Sequence, residues 1–398
     1  MTMIKGLYLN KLWQGHKENI PDLLAVIYRG YPRFVFDGRV RTLEGQVPVF
    51  SFHSVEPDHF ESQLKYLKHN GYRTLTADEL LATLNREMPV PERAVVLTFD
   101  DGWGSLWSVA FPLLKRYGYK AVAFVIPGLV EEETVDRSNL EGSIADPSKG
   151  NVPETDRRRL CTWAELRVMQ ESGVIDIQSH SLNHARVFTS SKVVDFLSPR
   201  PGGVSSKFKL PVYQESGRDR WDRRGQLGMP LYESRSLLAG PLRYFDDETL
   251  RQICIQYVAE HGGPDFFSHN GSHRKLLRLV RDYRNNRGEQ GRFQTADERD
   301  KAMARELEGS KQLIEEKLPG HRVRHHGYPW WSGCDQALEL SKEIGYDTNF
   351  WGRLLRRATN RPGDDPFHIV RLRDYYIFRL PGDGRKSLLS TLTGRSLL

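Results

Sequence analysis

The sequence is poor in cysteine: Cys161, Cys254 and Cys334 stand far apart, with no CxxC pair. Neither a disulfide framework nor a cysteine zinc knuckle is expected, and a reducing compartment fits best. Long apolar runs are missing as well. No stretch approaches the roughly 18 apolar residues of a membrane-spanning helix, and the opening MTMIKGLYLNKLWQGHKENIPDLLAVIYRG lacks the apolar core of a signal peptide. The expectation is a cytoplasmic protein with no transmembrane segment. Lys5, Lys11 and Lys17 lie among short apolar pieces, so peripheral membrane contact is a secondary use for this arm, after docking on the domain. No internal repeat or low-complexity tract is visible.

What is present suits a globular protein: 38% hydrophobic, 27% charged and 11% aromatic residues in a chain of 398, enough for one large domain or two medium ones. The net charge of +7 and a pI near 9.2 draw anionic partners in general without identifying one. No nucleic-acid partner is expected.

Strand-like and helix-like periods alternate along the chain. VPVFSFHSV (47–55) is β-branched and aromatic-rich, and Phe60, Leu64 and Leu67 follow it at helical spacing. Thr76 with Glu79, and Thr162 with Glu165, have the capping-box spacing that opens a helix. Residues 94–99, 121–128 and 174–179 read as buried strands, RVRHHGYPW as a short strand and FHIVRLRDYYIF as a late one. Strand then helix, repeated, predicts an α/β fold with a parallel sheet or barrel. The interval 191–295 breaks this rhythm. It is rich in Gly, Pro, Ser and Arg, and its 18 Lys and Arg against 12 Asp and Glu give it +6 of the chain's +7. It is either a functional insertion, a partly disordered segment or a solvated basic surface.

The candidate chemistry sits where VVLTFDDGWGSLW (95–107) ends a buried strand on Asp100 and Asp101. In parallel α/β folds the strand's C-terminal end faces the ligand. Two adjacent carboxylates there are either solvated in a turn or held by a cation. A metal site with one carboxylate wants imidazoles as its other ligands. QSHSLNHA offers His180 and His184, a spacing that puts both rings on one face of a helical turn. The same spacing recurs at His269 and His273, and at His321 and His325. Only the first pair directly follows a convincing buried strand, which places it beside the acids.

In order, these motifs resemble those of the polysaccharide deacetylases. TFDDG matches the family's first motif and HSLNH its second, while PVFSFHSV and GYPWWSG look like motifs of one branch, the latter after an SKQLIEEKL helix. The resemblance covers about 47–186 and 297–372. It implies a distorted (β/α) barrel with a large basic insertion. The implied organisation is an N-terminal arm over 1–46, a catalytic domain over 47–380 interrupted at about 191–295, and a tail over 381–398.

The resemblance further implies that Asp101, His180 and His184 bind a divalent metal, zinc first, with cobalt, manganese or nickel as alternatives. Asp100 would be the general base. His53 is the candidate proton donor, its alternative being a buried structural histidine. Tyr328, Pro329, Trp330 and Trp103 would line the substrate. The implied reaction removes an N-acetyl group from an amino sugar or glycan, with a nucleotide- or lipid-linked sugar suited to the basic loops. An N-formyl sugar, a cyclic amide and a non-catalytic binding role are the alternatives. Two departures stand out. Many relatives carry an arginine that orients the catalytic aspartate where this chain has His326, and the late L-x-H motif of other branches is replaced by Arg371 and Arg373 in VRLRDYY.

Overall fold

The computed structural model describes residues 30–132, 137–141, 157, 159–199, 210–221, 226–352, 354 and 358–393. Most of the expected arm and the last residues of the tail lie outside them. The chain forms two compact units. One comprises Met1–His180, Ser310–Trp331 and Gly345–Leu398, the other Ser181–Gly309 and Ser332–Ile344.

The first unit is built on an eight-stranded sheet whose pairings are all parallel. Its strands are β1 (Val49–Phe52), β2 (Arg73–Thr74), β3 (Ala94–Asp101), β4 (Ala121–Val125), β5 (Ile175–Ser179), β6 (His325–Gly327), β7 (Thr348–Phe350) and β8 (Leu372–Arg373). The order is β7-β6-β5-β4-β3-β1-β8, with β2 on β3. The sheet curls until its two edges share one segment: Phe350 bridges Ile369, while Leu372 pairs with Phe50. This closure is the expected α/β barrel. β3 and β4 are buried at every position, as strands covered on both faces must be. Val49, Val96, Val122, Phe124, Phe350 and Ile369 meet in one apolar cluster.

Helices connect most of the successive strands. α1 (Pro57–His69) opens on a proline and buries Phe60, Leu64 and Leu67. α2 (Ala77–Leu84) and α4 (Trp163–Glu171) both begin with the reciprocal capping boxes read from the sequence, Thr76 with Glu79 and Thr162 with Glu165. Each such cap contributes about 1 kcal/mol. α3 (Phe111–Tyr117) follows a π-helical turn at Leu106–Ala110 and stops at Gly118, whose φ of 72° suits a residue without a Cβ. The late strand is shorter than its sequence suggests, because a 3₁₀ turn takes over at Asp374–Arg379.

The second unit has its own core. Arg186–Phe196 pairs antiparallel with Pro230–Ser236 through register shifts. Helices α5 (Glu248–Glu260) and α6 (Ser272–Arg287) bury Leu250, Cys254, Val258, Leu276 and Val280 in one cluster with Phe196 and Phe266. The described part of the interval 191–295 is therefore folded rather than irregular. Its residues 200–209 and 222–225 lie outside the described set.

Candidate active site

β3 delivers Asp100 and Asp101 to the C-terminal mouth of the barrel. Successive residues of a strand point to opposite faces, but Asp101 takes φ 70° and Gly102 φ 78°, so the chain kinks as the strand ends. A Cβ at Gly102 would meet Val125 Cγ1 at 3.2 Å, so glycine answers both the conformation and the space. The Cys161 N–H donates to Gly102 O at 2.8 Å and braces the turn. Burial pushes the Cys161 thiol up, which keeps it protonated and out of the chemistry.

The two acids have different neighbours. Asp100 is buried, with Oδ1 accepting from Arg371 Nη1 at 2.6 Å and Oδ2 from Ser51 Oγ at 3.3 Å. Burial alone would raise its pKa. The Arg371 guanidinium, with His180 and His53, outweighs that and holds the carboxyl below its usual value. Asp101 Oδ2 accepts from Trp103 Nε1 at 3.0 Å, and its Oδ1 lies 3.4 Å from His180 Nε2.

His180 explains why that last approach matters. Its Nδ1 lies 2.7 Å from Gly327 O. A carbonyl only accepts, so Nδ1 carries a proton and Nε2 is the ring atom that faces Asp101. Two acceptors at 3.4 Å are held favourably only by a cation between them, a proton or a metal. His184 completes the set: one ligand atom from each of Asp101, His180 and His184 lies within 4.8 Å of the others, and all three residues are buried. One carboxylate and two imidazoles form a donor set that fits a divalent transition metal.

Among protein-family models, polysaccharide deacetylase matches residues 87–196, the stretch that holds both acids and both histidines. That match spans about a quarter of the chain and takes in the candidate ligands and the acid beside them. It is similar to a poly-beta-1,6-N-acetyl-D-glucosamine N-deacetylase of Staphylococcus aureus (strain MRSA252), 38% identical over 172 residues, covering 42% of this chain and 59% of that protein. The similarity to the enzyme of the same name from Escherichia coli (strain K12) is 27% over 132 residues, covering 33% of this chain and 18% of that one. The chain thus spans less than two thirds of the length of these relatives. A solved de-N-acetylase from Aggregatibacter actinomycetemcomitans superimposes with a TM-score of 0.49 at 18% identity, covering 82% of this chain and 94% of that one.

The site departs from its sequence reading in local geometry. The HxxxH pair is not on a helical turn. Ser181 and His184 both take left-handed φ, 64° and 54°, and the His184 N–H donates to Ser181 Oγ at 3.0 Å. Glu306, which the sequence reading passed over, pins the loop through Asn183: its carboxylate accepts from the Asn183 backbone and side chain, both at 2.9 Å. Its position on a helix, α7 (Ala296–Lys317), more than a hundred residues away gave no local signal.

His53 follows β1 and is 51% exposed, with Nε2 4.0 Å from Asp100 Oδ2, so it is not the buried structural histidine that was its alternative. Trp103 is a hydrogen-bond donor to Asp101. The Tyr328 ring is fully buried, with its hydroxyl accepting from Asn349 Nδ2 at 3.1 Å, and Pro329 is buried beside it. Trp330 and Trp331 are partly exposed and both left-handed, φ 58° and 56°. Such conformations cost about 1–3 kcal/mol each and cluster at functional sites. His326 lies within the barrel against Ser179 Oγ at 3.2 Å. Burial, with the charges of His180 and Arg371, drives its pKa well below the usual histidine value. The guanidinium on Asp100 comes instead from Arg371, just before β8.

Proposed function

We propose that this chain is a metal-dependent N-deacetylase that hydrolyses the acetamide of an N-acetylated amino sugar or glycan. The observation that carries the reading is the separation of Asp100 from Asp101, one on a guanidinium and the other beside two imidazoles. The relatives named as poly-beta-1,6-N-acetyl-D-glucosamine N-deacetylases support a polymer of N-acetylglucosamine as the substrate class.

Asp101, His180 and His184 would hold the ion, with zinc the first choice for this donor set. When bound, a divalent ion supplies Lewis acidity that lowers the pKa of water and polarises the amide carbonyl. The remaining steps belong to side chains. Asp100 takes the proton of the attacking water at Oδ2, because Oδ1 is committed to Arg371. Arg371 keeps that carboxylate ionised in a buried place. The C–N bond breaks with proton delivery from His53 to the departing amine, and acetate and a free amino sugar result. Trp103 fixes Asp101, and Trp330 at the mouth suits the apolar face of a sugar or the acetyl methyl.

The test is acetate release by the full chain from N-acetylglucosamine oligomers, with N-formyl sugars and cyclic imides assayed alongside. Turnover that appears with added divalent metal and stops on chelation supports the reading. Turnover indifferent to chelation, or confined to the formyl or cyclic compounds, contradicts it.

A further inference from the structure

Most of the chain's net positive charge sits on one helix that the deacetylase chemistry does not use. α6 carries Arg274, Lys275, Arg278, Arg281, Arg284 and Arg287 against a single acid, Asp282, a net +5 of the chain's +7. Its apolar side is fixed: Leu276 and Val280 are buried, with Leu279 and Tyr283 packed against the same cluster. At 100° per residue the opposite side presents Arg274, Arg278 and Arg281 within one narrow arc, flanked by Lys275 and Leu277. All four basic residues are exposed.

Among the described residues, no ion pair holds Arg274, Lys275 or Arg278. Among the described residues, Arg281 meets its neighbour Asp282 at 3.6 Å, and Arg284, at the edge of the arc, turns to Glu289 and Ser191 O. Like charges three and four apart oppose the helix. Arg274 and Lys275 also stand in the first turn, which has no acid, where the helix dipole favours anions. The core does not require them, since they point away from it.

We infer that the exposed face of α6 is a docking surface for an anionic phospholipid membrane. The complementary charge of such a surface relieves the repulsion along the row. Leu277, 38% exposed at the edge of the cationic arc, selects a lipid surface over a free polyanion, because a headgroup layer accepts an apolar side chain and a soluble polyanion gains nothing from it. The convex side of a helix also offers a line of contact to a plane rather than a groove for a strand. The association is reversible and salt-sensitive, because it rests on a few surface cations within a Debye length of the lipid.

Co-sedimentation of the full chain with phosphatidylglycerol vesicles and with phosphatidylcholine vesicles, at low and high salt, is the test. Binding is expected to the anionic vesicles alone and to fade with salt. Each cation near the surface contributes about fivefold to partition, so Arg274→Gln, Arg278→Gln and Arg281→Gln together should weaken it on the order of 100-fold. The corresponding triple lysine variant keeps the charge and should keep the binding, while Leu277→Ser should weaken it less. Glutamine preserves helix propensity, and an unchanged circular dichroism spectrum shows that the fold persists. Equal binding to neutral vesicles, binding unaffected by the glutamine variant, or retention on a soluble polyanion such as heparin without vesicle binding would each overturn the proposal.

Discussion

The two ends of the barrel are made of the same residue types and differ in how those residues are grouped. At the end where the strands start, a cavity of about 530 Å³ is lined by Asp78, Asp176, His321, Arg324 and His325, among others. There Arg324 Nη1 donates to Asp78 at 2.6 Å while its Nε bonds Asp347. His325 bridges Thr348 Oγ1 at 2.8 Å and Asp78 Oδ1 at 3.2 Å, and His321 Nε2 meets Ile177 O at 2.5 Å. At the end where the strands finish, His180 Nε2 faces Asp101 at 3.4 Å, and Asp100 keeps one oxygen beside a half-exposed histidine. His, Asp and Arg at HxxxH spacing make a structural girdle in one place and a candidate reaction centre in the other. The difference lies in the convergence of one carboxylate and two imidazoles at one end, beside a buried carboxylate that Arg371 keeps ionised.

The sharpest way to break that comparison is to remove an acid at each end. Asp100→Asn should cut acetate release by about 10²–10⁴-fold, the usual contribution of a general base, whereas Asp78→Asn should leave kcat within a small factor of wild type. Parallel rate assays on the two variants decide it, and similar losses in both would erase the distinction.

Arg371→Met tests the support of the base. It strands a buried carboxylate, and losing one partner of a buried pair costs about 3–5 kcal/mol, measurable by denaturant unfolding. The sign with pH follows from the direction of the shift. Asp100 is held below its usual pKa, so its stabilisation is present above the unfolded value and is lost as pH falls through the folded one. Without Arg371 burial dominates, the folded pKa rises, and the acid limb of the pH–rate profile should move to higher pH.

Trp103→Phe removes the hydrogen bond on Asp101 and keeps the ring. Metal affinity, followed by competition with a chelator, should weaken about 10–100-fold, the usual effect of losing a group that orients a ligand. The smallest effect is expected at the girdle. His325→Gln there should cost about 1 kcal/mol of stability through its bonds to Thr348 and Asp78, with turnover unchanged.

Much of this site was legible because its signals are local. An apolar strand ending in Asp100, Asp101 and Gly102, and a second ending at His180, place three functional groups at one end of a parallel sheet before any coordinates are seen. The capping boxes at Thr76 and Thr162 were equally plain, since both partners lie within four residues. Arg371 was not, because its partner is 271 residues away and the two meet only through closure of the barrel. The usable hint was a basic residue just before Leu372, in a strand whose neighbour is β1. The left-handed residues Ser181 and His184 were hidden for another reason: HxxxH spacing suits a helical turn and a tight loop alike. In the basic interval, Leu250, Cys254 and Val258, and likewise Leu276 and Val280, do recur at helical spacing. Its glycines, prolines and arginines drew the reading toward irregular structure.

The central claim is that two adjacent carboxylates do different work, and metal content separates them directly. Elemental analysis of Asp100→Asn and Asp101→Asn, prepared side by side with wild type in the presence of zinc, should find a stoichiometric divalent metal in wild type and Asp100→Asn and little in Asp101→Asn, with both variants failing to release acetate. Loss of the metal from Asp100→Asn, or its full retention in Asp101→Asn, would contradict the division of roles.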